Sequence, residues 1–317
     1  MLSEPVIRTR SLTKRYGQGP STLEALCELD LEVSEGECMG YIGPNGAGKS
    51  TTIKILATLL RPTWGEARVC GHTVGYENRL IRPLIGYVPD EFGTYEDMVV
   101  QEYLEFFAAA YGLSRADRIR TVGEVLELTD LAGKRDALVD SLSRGMKQRL
   151  SIARVLLHDP RLLLMDEPAS GLDPRARIEM RELLKELVRM GKTILISSHI
   201  LPELADLCTT VGVLEKGKLI YKGPVDEITR KARTGTMAHV SVLERQADAA
   251  LLLARLPIVA QVREGRGQLD LTLREQTSDL SSIAAALLEG GFRISQLREE
   301  EVNLETAFMR LTRGLVQ

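Results

Sequence analysis

The chain opens on alternation. Residues 6–13 set Val6, Ile7 and Leu12 against Arg8 and Arg10, the two-residue rhythm of a strand with one face on a core and one in water. Residues 26–33 repeat it, and the pair predicts an antiparallel edge. Between 37 and 42 the pattern becomes a short, mostly apolar run, which predicts a strand buried on both faces. Residues 51–60 read as a helix, 67–69 as a short strand and 85–89 as another buried strand. From Val100 to about His158 the period is helical, broken at Gly112, Gly133 and the turn over 140–143. The apolar runs 161–167 and 193–197 predict buried parallel strands. Between them lies a predicted helix over 174–190, capped by Asp173 and opened by Pro174. A hairpin over 211–222, turning at Glu215-Lys216-Gly217-Lys218, ends this part.

Residues 225–236 are polar and basic and read as a linker. Beyond them come a strand (237–243), a helix (247–256), a hairpin (259–264 with 268–273, around Gly265-Arg266-Gly267), a helix (278–289), a strand (293–298) and a helix over 304–311. The order βαββαβ is that of a small ferredoxin-like module. The expected organisation is therefore a domain over 1–225, a linker over 226–236, and a small α+β domain over 237–317 that serves regulation or dimer contact.

Composition narrows the function. With 44% hydrophobic and 27% charged residues in 317, the balance is that of a soluble globular chain. A formal net charge of −3 gives no electrostatic reason for nucleic-acid binding, and none is expected. Cys27, Cys38, Cys70 and Cys208 lack C-x-x-C spacing, which argues against a zinc site or disulfide framework and suits a reducing cytosol. The N-terminus has no basic region before an apolar core, so no signal peptide is expected. Residues 98–113, the longest apolar-looking stretch, contain Glu102 and Glu105 and are too short to span a bilayer. A membrane role would need a partner to supply the membrane part.

The chemistry centres on Gly43-Pro44-Asn45-Gly46-Ala47-Gly48-Lys49-Ser50-Thr51, which fits G-x-x-x-x-G-K-[ST] at every fixed position. Such a loop turns its backbone N–H groups onto a polyphosphate, which side chains at the glycine positions would block. Lys49 would set a point charge on the β- and γ-phosphates, and Ser50 a hydroxyl on Mg²⁺. Further along, Ser141-Leu142-Ser143-Arg144-Gly145-Met146 offers a hydroxyl and free N–H groups at a helix start, suited to an anion or to simple capping. The run 161–167 delivers Asp166 and Glu167 at a strand end, where α/β sites form. Tyr16 reads either as a half-buried strand-end aromatic or as a flat face for a base. His199 follows the run 193–198 at its C-terminal end, and is either structural or part of that site.

In this order the motifs resemble those of ABC-type ATPases, over roughly residues 5–225. The resemblance implies an α/β P-loop NTPase fold with an antiparallel β subdomain and a helical insert at about 98–158. It identifies Tyr16 with the adenine-stacking aromatic, 43–51 with Walker A and Ser143-Arg144-Gly145 with the signature motif. Walker B falls at 162–167, the D-loop at Ser170-Gly171-Leu172-Asp173 and the switch histidine at His199. It further implies ATP with Mg²⁺ held by Ser50 and Asp166, Glu167 as general base, and a water oriented by His199. The signature turn would close over ATP held by an opposite subunit, in a head-to-tail homodimer or a pair with another such ATPase. An integral membrane permease would be the other partner, placing the chain in the cytoplasm on the inner face of the cell membrane. The stretch Val302-Asn303-Leu304-Glu305-Thr306-Ala307-Phe308-Met309 resembles the closing helix of type-2 exporter ATPases, which implies export. One position departs from the pattern: Asp90 stands where the family places a metal-reaching glutamine, and is expected to keep that contact, the alternative being a contact from Glu91 or none. Two rival readings are a soluble ABC-type ATPase acting on DNA or ribosomes and a weakly hydrolysing, nucleotide-gated regulator. A single cassette with no heptad run or basic stripe argues against the first. Glu167 argues against the second, and Asp90 for it.

Overall fold

Each apolar run becomes a parallel strand whose C-terminal end reaches the same edge of one sheet. The computed structural model describes residues 4–299 apart from 18, 20–21, 91–92, 94–96, 199–203, 205–206, 226, 228–236, 266 and 275–279. Strands β4 (Cys38–Ile42), β7 (Ile85–Val88), β8 (Leu162–Asp166), β9 (Thr193–Ser198) and β10 (Thr210–Glu215) pair in parallel, and β11 (Lys218–Pro224) closes one edge antiparallel. The spatial order is β11-β10-β4-β9-β8-β7. Register matters more than order here. Ile42 pairs with Ser198, Ser197 with Asp166, and Met165 with Val88, so the C-terminal ends of β4, β9, β8 and β7 lie side by side.

A second, antiparallel sheet runs β2 (Leu23–Leu29), β1 (Ile7–Tyr16), β5 (Trp64–Val69), β6 (His72–Thr73), with β3 (Glu32–Val33) paired to β1. Residues 26–33, predicted as one strand, divide into β2 and β3. The Thr9 hydroxyl donates to the Leu29 carbonyl (2.8 Å) and accepts from the Leu31 N–H (2.8 Å), while Asp30 accepts from the Ser11 N–H (2.6 Å). These bonds between β1 and the Leu29–Leu31 segment involve side chains in place of the backbone ladder and interrupt it there. Helix α1 (Lys49–Leu56) stops short of the predicted Leu60, because Thr58 adopts a left-handed φ of 63°. The core that joins both sheets to α1 includes Ile7, Leu29, Tyr41, Ile53, Leu56 and Leu162. After β6 comes a single helical turn, α2 (Asn78–Ile81), which the hydrophobic pattern did not predict, like β6 itself.

Among the described residues, the stretch between β7 and β8 carries the helices α3 (Val100–Ala110), α4 (Arg115–Leu128) and α5 (Arg144–Leu156). Helix α6 (Pro174–Arg189) follows β8. The chain divides into two compact units, Met1–Val225 and Asp226–Gln317. In the second, β12 (Met237–Val242), α7 (Gln246–Leu253), β13 (Val259–Glu264), β14 (Leu269–Leu273), α8 (Ser281–Glu289) and β15 (Ile294–Glu299) form an antiparallel sheet of order β13-β14-β12-β15. Its own core is built on Ala238, Val240, Leu253, Leu269, Leu271, Ile283 and Leu287. The helix expected over 304–311 and most of the expected linker lie outside the described residues.

Candidate functional site

The loop between β4 and α1 needs glycine for two separate reasons. Gly46 and Gly48 have φ of 81° and 109°, and a Cβ on Gly48 would come within 2.5 Å of the Ala25 carbonyl oxygen. Gly48 is also the N-cap of α1 and brings no side-chain cap, which leaves the first N–H groups of the helix to serve an anion. Below the loop, the Thr52 hydroxyl donates to the Gly48 carbonyl (3.1 Å) and shares a hydrogen bond with the Tyr41 hydroxyl (3.2 Å). Burial pushes that phenol far above its usual range, so it stays neutral.

The charged side chains converge on this loop. Lys49, 5% exposed, donates to the Gly43 carbonyl at 2.7 Å and the Pro44 carbonyl at 3.3 Å, and lies 3.3 Å from a Glu167 carboxylate oxygen. Ser50 donates to Asp166 Oδ1 at 3.0 Å, and Ser197 donates to the same oxygen at 2.8 Å. Ser197 in turn accepts from the Glu167 N–H at 3.0 Å. One buried hydroxyl on β9 therefore fixes both acids at the end of β8. Glu167 itself has a left-handed φ of 48°, a strained conformation of the kind that gathers at functional sites.

As a cation site, the Ser50 hydroxyl and Asp166 carboxylate form a hard, all-oxygen pair that suits Mg²⁺. Among the described residues no three His, Cys, Asp or Glu side chains form a complete metal cage, so remaining ligands would come from substrate and water. The turn after β7 flanks the same region. The Tyr87 hydroxyl has its pKa pushed up to about 12, chiefly by burial and then by the carboxylates of Asp166 and Asp90. Gln148 on α5 donates to the Pro89 carbonyl (3.4 Å), tying this turn to a second cluster.

That second cluster is built from two helix starts. Ser143 caps α5, accepting from the Met146 N–H at 3.3 Å, and Asp173 caps α6, accepting from the Ala176 N–H at 2.9 Å. A Cβ on Gly145 would lie 2.7 Å from the Ala176 Cβ, so the two helices begin in contact. Arg149 holds them together. Its guanidinium, 9% exposed, donates to the Thr129 carbonyl (3.1 Å) and pairs with Asp130 (2.9 Å) and with Glu179 of α6 (3.3 Å). A polar cavity of about 440 Å³ opens here, lined among others by Ser143, Gly145, Asp173, Arg175 and Glu179. No residue of the glycine-rich loop lines it.

Of the other expected site residues, Tyr16 ends β1 with 38% of its surface exposed, and the Lys14 ammonium lies 5.2 Å from its ring centre. Pro44, Asn45 and Gly46 form the exposed rim of the loop. Ala47 is buried and Thr51 half-buried. His199 lies outside the described residues. Sequence reasoning missed Ser197 and Arg149. The signal for Ser197 was a hydroxyl closing an apolar strand. The signal for Arg149 was an arginine on the buried face of a helix.

Residues 26–170 match the family profile described as ABC transporter. A Nod factor export ATP-binding protein I from Cupriavidus metallidurans is 36% identical over 97% of both chains. The daunorubicin resistance ATP-binding protein DrrA3 from Streptomyces coeruleorubidus is 33% identical over 98% of this chain and 97% of its own. Among solved structures, a dimeric ATP-binding cassette in a post-hydrolysis state bound to ADP and phosphate superposes with a TM-score of 0.63 at 28% identity. The match covers 69% of this chain and 98% of that one. Among the described residues no helix is long and apolar enough to cross a membrane.

Proposed function

Since the chain belongs to the ABC transporter family, as one of its ATP-binding, ATP-hydrolysing subunits, we propose that it powers export through a separate membrane permease from two nucleotide sites shared head-to-tail between two cassettes. The observation that carries this reading is the convergence of Lys49, Ser50, Asp166 and Glu167 on the glycine-rich loop, with Ser197 fixing both acids.

The reaction is ATP plus water to ADP plus phosphate. The N–H groups of residues 43–51 and the Lys49 ammonium bind the phosphates, and Tyr16 stacks on the adenine. Ser50 and Asp166 would hold Mg²⁺, which neutralises charge on the phosphate oxygens when bound. Glu167 accepts the proton of the attacking water, and His199 contacts the γ-phosphate and orients that water. Asp90 keeps a water or metal contact beside Asp166, with one more negative charge than an amide would bring, and so tunes turnover. Ser143, Arg144 and Gly145, with Asp173 behind them, close over ATP held by the partner chain. ATP then favours the closed dimer and hydrolysis the open one.

The names of the relatives, Nod factor export and daunorubicin resistance, support export. The cargo path would belong to the permease, with this chain on its cytoplasmic side and no nucleic acid involved. The strand order of the second unit supports a ferredoxin-like module, for which we propose regulation or dimer contact. The test is Mg-ATP hydrolysis by the purified full chain and its Glu167→Gln variant. Loss of the base is expected to lower turnover by about 100-fold or more. A variant that hydrolyses at the wild-type rate would contradict the assignment of Glu167.

A further inference from the structure

Strand β4 is buried along its whole length, yet it carries a tyrosine. Tyr41 is fully buried, and so is Thr52 in the first turn of α1. A phenylalanine would fill the same space with no hydroxyl to satisfy, and a buried hydroxyl is costly unless it is bonded. The bonds here have one consistent direction. The Thr52 hydroxyl has a single proton, which it gives to the Gly48 carbonyl at 3.1 Å, so the Tyr41 hydroxyl, 3.2 Å away, donates to Thr52. The phenol stays neutral, so that direction does not change with pH. The Gly48 carbonyl also accepts the Thr52 N–H at 2.9 Å. Two donors from one residue therefore hold the peptide that joins Gly48 to Lys49. The other side of that peptide is the Lys49 N–H, the first of α1. Gly48 has a left-handed φ of 109° and brings no side-chain cap, so the plane of this peptide is held from the carbonyl side. Hydrogen bonds accepted by an amide oxygen also polarise the amide and make its N–H a stronger donor.

We propose that Tyr41 and Thr52 are positioning residues for the phosphates of ATP: the relay from the Tyr41 hydroxyl through the Thr52 hydroxyl to the Gly48 carbonyl sets the plane of the Gly48–Lys49 peptide and presents its N–H to the phosphate chain. The inference rests on the reading of residues 43–51 as the phosphate loop and extends that site to two side chains buried beneath it. The loop supplies the charge and the N–H groups. Tyr41 and Thr52 decide where one of those N–H groups points. The relay ends on the Gly48 carbonyl and not on Asp166 or Glu167, so it acts on nucleotide binding and leaves the proton step to Glu167.

The test is calorimetric titration of the full-length chain with Mg-ATP and with Mg-ADP, alongside steady-state hydrolysis. Thr52→Val removes the hydroxyl at nearly constant shape and is expected to raise the Kd of both nucleotides about tenfold. Tyr41→Phe should raise it about threefold, since the last bond of the relay survives. Joined in one chain, the two changes should cost no more than Thr52→Val alone, because they act in series. Thr52→Ser keeps the hydroxyl and should restore wild-type affinity. KM for Mg-ATP should rise with Kd while kcat stays within about twofold of wild type, the split expected when ground state and transition state lose the same interaction. Tyr103→Phe is the control. It removes the hydroxyl of another fully buried tyrosine, which accepts from Arg154 at 3.3 Å, and should leave both Kd values unchanged. Wild-type Kd values in Tyr41→Phe and Thr52→Val, whatever their stability in urea, would show a purely structural pair and overturn the proposal. An equal rise in Tyr103→Phe would overturn it too. If Thr52→Val does not fold, Tyr41→Phe against Tyr103→Phe still decides. A wild-type chain that binds neither nucleotide would overturn the phosphate-loop reading and this inference with it.

Discussion

The loop over 43–51 and the turn at Ser143 both sit at a helix start, yet they are built in opposite ways. Around the loop the charged and hydroxyl side chains are tied down, while the N–H groups at the start of α1 stay open: Lys49 meets two carbonyls and a carboxylate, and Ser50 and Ser197 share one oxygen of Asp166. Its position is set by the register of three parallel strands. Around Ser143 only the cap itself is made, the turn is exposed, and its position is set by side chains on neighbouring helices, Arg149 above all. A site that binds tightly needs the first construction. A surface proposed to dock on a partner chain and release it needs the second, because few groups there must be rearranged as the partner comes and goes. On the proposed reading, the contrast is that of two half-sites in one chain that do not complete each other.

The largest expected effect falls on the second half. Arg149→Ala leaves the buried Thr129 carbonyl without its charged donor and removes the pairs to Asp130 and Glu179, and should destabilise the full chain by about 2–3 kcal/mol, measured by urea unfolding. At temperatures where the variant is folded, nucleotide affinity of the first half should change little. Equal loss in both halves would erase the distinction drawn here.

Ser197→Ala probes the first half. It removes the bonds to Asp166 and to the Glu167 N–H, at an expected cost of about 1–3 kcal/mol in stability. Turnover should fall while ATP-driven pairing persists, since among the described residues the hydrogen bonds of the Ser197 hydroxyl go to Asp166 and Glu167 and not to the turn at Ser143. Turnover at the wild-type level would show that β9 does not position the two acids.

The smallest effect sharpens the join between halves. His158 lies just beyond α5, stacks on Tyr111 at 4.3 Å and hydrogen-bonds the Ile85 carbonyl at the base of β7 (2.9 Å). Burial lowers its pKa below the ordinary 6.5. Above 6.5 both folded and unfolded forms are neutral and the group contributes nothing to the pH dependence. As pH falls below 6.5 the unfolded chain takes the proton first, so stability is lost down to the lowered folded value. Between pH 7.5 and 5.5 the melting temperature should therefore drop more for wild type than for His158→Gln. An equal drop in the two proteins would contradict this.

Much of the first half was legible in the sequence because its parts are contiguous. A loop pattern of nine residues and an apolar run closed by Asp166 and Glu167 carry their geometry with them. Asp173 and Pro174 likewise announce the start of α6, and the structure begins it there. What sequence could not show depends on pairing. Ser197 faces Asp166 only because β8 and β9 align in one register. Arg149 reaches Glu179 only because Gly145 lets α5 and α6 touch. The break between β2 and β3 depends on the Thr9 side chain from another strand, which no periodicity records.

The most direct measurement of the central claim is sedimentation of full-length Glu167→Gln with and without Mg-ATP. The account predicts a 35.1 kDa monomer without nucleotide and a stable dimer of twice that mass with ATP, holding two ATP per dimer and dissociating when ATP is removed. A chain that binds ATP tightly yet stays monomeric at every concentration would contradict it, since the exposed signature turn would then have no nucleotide to close upon.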